Sequence, residues 1–218
     1  MKKELILTND GSHSLFVKKL NETYHSIHGS IAEANHVFIR NGLQFHRKLN
    51  INILEIGFGT GLNALLTLLN INQKRVNYTS LEPFPISDKI YNKLNFHELL
   101  KTDKDTFIKL HNSNWEKNVH FTENFQLKKL KKKIQHFNSS KKFDIIYFDA
   151  FAPEKQTEMW TKEILNKCYH FLKPKGFLVT YCAKGVVKRR LKEVGFYVES
   201  LAGPPGKREM IRAFKKEN

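Results

Sequence analysis

Three short stretches of this chain hold residue types whose spacing could do chemistry. The first is Glu55-Ile56-Gly57-Phe58-Gly59-Thr60-Gly61, an acid at the end of an apolar run followed by alternating glycines. Glycine lets backbone N–H groups come close to a ligand. A helix beginning there would add the positive end of its dipole, which suits a nucleotide-like ligand. A dinucleotide fingerprint requires G-x-G-x-x-G, but here Leu62 stands where the third glycine belongs. The second is Glu82, at the end of the run Val76–Glu82 and about 20 residues beyond the turn, where an acid can accept both ribose hydroxyls. The third is Asp149-Ala150-Phe151-Ala152-Pro153, which ends the apolar run Phe143–Phe148. A carboxylate there can accept the hydrogens of an amine and aim its lone pair along a displacement axis. An aromatic neighbour can stack on a base or border a cation.

These residues need elements to position them. Ile53–Ile56 reads as a strand, and residues 62, 65, 66 and 69 are apolar at helical spacing. Further helical patterns cover 86–100 and 103–112, and Val119–Glu123 reads as a weak third strand. The run Leu127–Phe137 is apolar at 127, 130, 134 and 137, which predicts a helix with lysines on its other face. Phe143–Asp149 is apolar almost throughout, as buried parallel strands are. A helix over Glu158–Leu172, a strand over Phe177–Cys182 and a helix over Val186–Val194 follow. Phe196–Leu201 and Met210–Phe214 form a final strand pair. Alternating β and α elements predict an α/β fold, with a mostly parallel sheet and helices on both faces. A reversed last strand beside its predecessor makes seven strands. Residues 51–218 would form this domain, and residues 1–50 an extension over its carboxyl edge. In the extension, Glu4–Thr8 and Ser14–Lys18 would pair across Asn9-Asp10-Gly11. A helix over Ile31–Asn41 would be capped by Gly42. Gly57–Gly61, Glu82, Glu123 and Asp149 all fall at expected carboxyl ends, where open α/β sheets bind ligands. Tyr24, His25 and His28, in a polar segment, could contact substrate or ligand.

The totals narrow the partners. Lys and Arg number 37 against 21 acids, a net charge of +16. Such a field attracts polyanions, nucleic acid first, and repels cationic substrates. A genome rich in Lys, Asn and Ile codons would give the same balance. Cys168 and Cys182 lie in apolar stretches with no metal-ligand spacing, which predicts buried thiols in a reducing compartment. The N-terminus lacks the apolar region of a signal peptide, and no run is long enough to cross a membrane. A cytoplasmic protein with no metal is expected.

The glycine turn with its preceding acid resembles the S-adenosylmethionine turn of class I methyltransferases. Leu54–Asn63, Asp149–Pro153 with Met159-Trp160-Thr161, Lys207-Arg208-Glu209-Met210 and His36-Val37-Phe38-Ile39 together resemble the methyltransferase half of the MnmC-like tRNA modification enzymes. The resemblance implies a Rossmann-like class I fold that uses S-adenosylmethionine. Glu55, Gly57, Phe58, Gly59, Gly61, Asn63, Glu82 and Glu123 would hold that cofactor, with Asp149 at its reactive end. The implied substrate is the 5-aminomethyl group of a tRNA wobble uridine, often 2-thiolated, facing Asp149 and Phe151. Tyr24, His25, Lys184, Lys207 and Arg208 would be substrate contacts. Two-domain relatives also carry a flavin-dependent half. No second glycine fingerprint occurs here, so no flavin is expected, and separate enzymes would install the aminomethyl group. Thr122-Glu123 replaces the family's Gly-Asp, and Gly203-Pro204-Pro205-Gly206 departs from its glycine-aromatic-glycine form. Three rivals remain open at this point: an aminopropyltransferase, another small-amine methyltransferase and a non-catalytic RNA-binding module.

Overall fold

The computed structural model describes residues 2–216; Met1, Glu217 and Asn218, which the two expected segments include, lie outside the described residues. The chain begins with β1 (Lys3–Leu7), β2 (His13–Val17) and the two-residue β3 (Glu22–Thr23), an antiparallel sheet of its own. α1 (Ser30–Ala34) then runs directly into a π-helical stretch, Asn35–Leu43. Gly42 lies inside that stretch and does not cap a helix. A Cβ there would sit 3.0 Å from the Tyr147 ring, so glycine serves the close approach of helix to sheet.

The main sheet is built from β4 (Asn50–Ile56), β5 (Arg75–Leu81), β6 (Asn118–Thr122), β7 (Phe125–Leu130), β8 (Phe143–Phe148), β9 (Leu172–Thr180), β10 (Phe196–Ala202) and β11 (Glu209–Lys215). Their order is β10-β11-β9-β8-β4-β5-β7-β6. The central strands β7, β5, β4, β8 and β9 are parallel, and β11 is antiparallel to both β9 and β10. The helices are α2 (Leu62–Leu69), α3 (Asp88–Tyr91), α4 (Phe96–Leu99), α5 (Lys104–Asn112), α6 (Lys162–Phe171) and α7 (Gly185–Val194). α1, the π-helical stretch, α2 and α5 cover one face through Val37, Phe38, Leu65 and Phe107, which pack on Ile53, Tyr78 and Tyr147. α6 and α7 cover the other face through Leu165, Cys168, Phe171, Val187 and Leu191 against Leu54, Ile146 and Leu178. Both cysteines are free and buried.

The expected third strand and the lysine-rich helix are both corrected. Val119–Glu123 does not supply the third parallel strand. β6 there is an antiparallel edge strand, the eighth of the sheet, paired with β7 across a tight turn. β7 is the parallel neighbour of β5, with Val76 opposite Phe125 and Leu81 opposite Leu130. No helix forms over 127–137; a single 3-10 turn, Ile134–His136, follows β7. Phe125, Leu127 and Lys129 alternate inward, and Lys129 behaves as a buried residue because its ammonium donates to the carbonyls of Leu110 (2.7 Å) and His111 (2.5 Å) at the end of α5. The expected helix over Glu158–Leu172 begins later. Thr157–Trp160 is a 3-10 turn, and the Thr161 hydroxyl caps α6.

Candidate functional site

β4 ends in the glycine turn, and positive φ at Gly57 (96°), Gly59 (52°) and Gly61 (75°) is what that turn requires of them. A Cβ on Gly57 would lie 2.7 Å from the Asp149 carbonyl, so the turn and the end of β8 are in direct backbone contact. Gly61 caps α2, whose first residues Leu62 and Asn63 line a cavity of about 510 Å³. Two histidines steady Thr60 between them. His25 Nε2 lies 2.7 Å from its hydroxyl, and His111 Nε2 donates to its carbonyl at 3.0 Å. Burial pulls His25 to about 4 and His111 to about 3, so both rings are neutral.

Glu82 stands at the end of β5 and lines the cavity. Its two oxygens accept the N–H groups of Gly59 (3.0 Å) and Phe84 (2.8 Å). Burial pushes its carboxyl up, against the pull of those N–H groups and of Lys3. Lys3 lines the same cavity from β1, its ammonium 5.7 Å from the Tyr24 ring centre. Apolar walls come from Phe58, Leu81, Phe84, Ile134 and Met159. A glycine cradle, a helix start, an edge acid and apolar walls fit the adenosine and sulfonium parts of S-adenosylmethionine.

Asp149 sits between the turn and an aromatic pair. Asn63 Nδ2 donates to Asp149 Oδ2 at 2.8 Å, and Tyr24 meets Phe151 edge-on with ring centres 5.2 Å apart. Burial first, then the nearby Glu33 charge, raises the Asp149 carboxyl to about 7, while Asn63 and Lys207 pull it down. The Asp-Ala-Phe-Ala-Pro loop is pinned at several points. Tyr181 OH donates to the Ala150 carbonyl (2.9 Å), Trp160 Nε1 to the Phe151 carbonyl (2.7 Å), and the Phe151 N–H to Gln156 Oε1 (3.2 Å). A carboxylate held this way, titrating near neutrality beside an open cavity, can accept a hydrogen bond or a proton from an entering amine.

The expected residues thus divide. Gly57, Phe58, Gly59, Asn63, Glu82, Asp149, Phe151, Tyr24 and His25 all line the cavity. Glu123 does not. It occupies the β6–β7 turn at the amino end of β7, because the third parallel strand begins after it. The carboxyl end of β7 presents Lys132, Lys133 and Ile134 to the cavity instead. Glu55 is buried beneath the turn and accepts from Ser80 Oγ at 2.6 Å. Burial first, then the nearby Asp149 charge, raises it to about 8 against the pull of the Ser80 hydroxyl, so it is mostly protonated at neutral pH. Lys184 pairs with Glu154 on the surface. Lys207 is spent within the protein, paired with the buried Glu33 and lying 4.4 Å from the Tyr181 ring centre. Arg208 is exposed. His28 packs against Gly206. Sequence reasoning missed Glu33 and Lys3. Glu33 carried a signal, an acid beside Ile31, Ala34, Val37 and Phe38 on a helix; Lys3, in a polar N-terminus, carried none.

Residues 92–216 match the family model described as S-adenosyl-L-methionine-dependent methyltransferase. The tRNA 5-methylaminomethyl-2-thiouridine biosynthesis bifunctional protein MnmC of Leptospira interrogans is 32% identical over 89% of this chain. The protein of the same name from Burkholderia multivorans is 28% identical over 95%. The chain spans about a third of the length of these curated relatives, 32% and 34% respectively. The crystal structure of MnmC2 from Aquifex aeolicus superposes with a TM-score of 0.78 at 28% identity, covering 100% of this chain and 72% of that one. The chain belongs to the S-adenosyl-L-methionine-dependent methyltransferases.

Proposed function

We propose that this protein methylates the primary amine of a 5-aminomethyl-uridine or 5-aminomethyl-2-thiouridine at the wobble position of tRNA, giving the methylaminomethyl base. The observation that carries this reading is Asp149. It is a strand-end carboxylate fixed by Asn63, beside an aromatic pair and in backbone contact with the glycine turn. The names of the relatives supply the nucleoside.

When bound, S-adenosylmethionine supplies an electrophilic methyl group on a positive sulfur. The glycine turn, the start of α2 and Glu82 would hold it. The chain's own work falls on the amine. An aliphatic ammonium has no lone pair to offer, and burial in the cavity favours its neutral form. As a carboxylate, Asp149 accepts an N–H of the neutral amine and turns its lone pair toward the methyl site. The nitrogen gains one bond to carbon and must then lose one proton. A carboxyl titrating at about 7 can take that proton and pass it to water. Asn63 is a positioning residue that holds Asp149 Oδ2. Tyr24 and Phe151 form the wall on which a flipped-out base can stack. The segment before β4 adds Lys3, Tyr24 and His25 to the cavity lining.

The test is mass spectrometry of nucleosides from tRNA bearing 5-aminomethyl-uridine, incubated with the protein and isotope-labelled donor. Labelled methylaminomethyl-uridine is expected. Unlabelled tRNA with donor binding intact overturns the reading.

A further inference from the structure

A second groove, of about 360 Å³, opens on the sheet face that α6 and α7 cover elsewhere. A parallel crossover normally lays a helix over the strands it joins. Between β7 and β8 there is only the 3-10 turn Ile134–His136, so the faces of β5 and β7 stay open. The side chains agree with that opening. Asn77 stands opposite Gln126 and Thr79 opposite Lys128 in register, polar where a helix-covered parallel sheet would be apolar. Lys128, Lys132 and Lys141 line the groove, and none of the three forms an ion pair among the described residues. The single acid there, Glu116, accepts the Lys131 N–H at 3.0 Å. The Lys141 ammonium is pulled down by burial first and then by the charges of Lys173 and Lys128, while Asp144 draws it the other way. Lys132 lines this groove and the methyl-transfer cavity alike.

We propose that this groove holds the phosphodiester backbone of the RNA substrate next to the nucleotide whose base enters the cavity, with Lys128 and Lys141 facing phosphate and Lys132 at the junction. This rests on the tRNA reading above for the identity of the polyanion. Unpaired ammonium groups among amide and hydroxyl donors suit phosphate oxygens. The continuity through Lys132 gives one strand a path from cavity to groove.

The experiment compares wild-type protein, the double variant Lys128→Glu/Lys141→Glu and the charge control Lys192→Glu, using tRNA bearing 5-aminomethyl-uridine. The double variant should bind donor as wild type does, and its kcat at saturating RNA should stay within about twofold. Its KM and Kd for RNA should rise on the order of tenfold or more. The slope of log affinity against log salt should shrink by about 1.5, near 0.7–0.9 for each phosphate that is no longer neutralised. Lys192→Glu should leave that slope near wild type. If both variants keep the wild-type affinity and slope, or shift them equally, the groove proposal falls even where methylation persists. If RNA affinity depends on the groove but no methylated base appears, the amine-methylation reading falls and the groove stands.

Discussion

The carboxyl edge of β4, β5 and β8 and the flank formed by β6 and β7 lie side by side in one sheet, yet follow different logic. At the edge, every local sign has a tertiary counterpart. The glycines lie in positive φ, Glu82 receives the N–H of Gly59, and Asp149 receives Asn63. On the flank the local sign misleads. Apolar residues at 127, 130, 134 and 137 fit a helix, while the true inward set of β7 is Phe125, Leu127 and Lys129. Periodicity assumes that a charged side chain faces water. That assumption fails where the charge is spent on the open carbonyls of a helix end, as Lys129 is spent on α5.

The edge can be tested hardest at Asp149. Asp149→Asn keeps the shape and the contact with Asn63 but cannot take a proton. We expect methyl transfer to fall by roughly 10²- to 10⁴-fold, the range for a positioned acid or base. Donor Kd should change little. The carboxyl titrates at about 7, so the wild-type reactive form is lost as pH falls below that value. The ratio of wild-type to variant kcat/KM should therefore climb with pH up to about 7 and level off above it. A flat ratio across this range would remove the acid–base role.

The flank is tested by two neighbouring lysines. If residues 125–130 form a strand, Lys129 is structural and Lys128 is not. Lys129→Met leaves the Leu110 and His111 carbonyls without their buried donor, a loss of about 1–3 kcal/mol for an unsatisfied buried group. For a chain of this size that is a fall in Tm of about 2–4 °C per kcal/mol. Lys128→Met, on the open face, should leave Tm nearly unchanged. A lysine-rich helix with both residues in solvent would make the two substitutions equally neutral, so thermal melts of the pair decide between the arrangements.

What could be read from the sequence depended on whether the informative residues are neighbours in the chain. The glycine turn, Glu82 and the Asp149 loop each lie at the end of their own expected strand, and strand-end placement follows from those local runs alone. The mostly parallel sheet follows from the β-α alternation. Lys3, the π-helical stretch and the partner of Lys207 carried no such local mark. Glu33 acts through Lys207, 174 residues away, and Gly42 is glycine because Tyr147 lies against it. Glu55 was legible as an acid before the turn, but its depth depended on Ser80 of the adjoining strand. Contacts between distant elements decide such residues, and one element's pattern does not contain them.

The comparison is sharpest in a pair of glutamates, one on each side of the divide. Both end or follow an expected strand, and both are candidates for the cofactor by sequence. Glu82 lies in the cavity with its oxygens on the N–H groups of Gly59 and Phe84. Glu82→Ala removes an acceptor for two hydroxyls and loosens the turn, so donor Kd should rise at least tenfold, about 1.4 kcal/mol, the low end for hydrogen bonds to a charged group. Glu123 sits in the β6–β7 turn, at the opposite end of β7 from the cavity, so Glu123→Ala should leave donor Kd within about twofold, the scale of a surface substitution. Calorimetric titration of donor into both variants reads the difference directly. Equal losses in the two would mean that β7 enters the sheet one strand earlier in the chain than the pairing of Val76 with Phe125 requires.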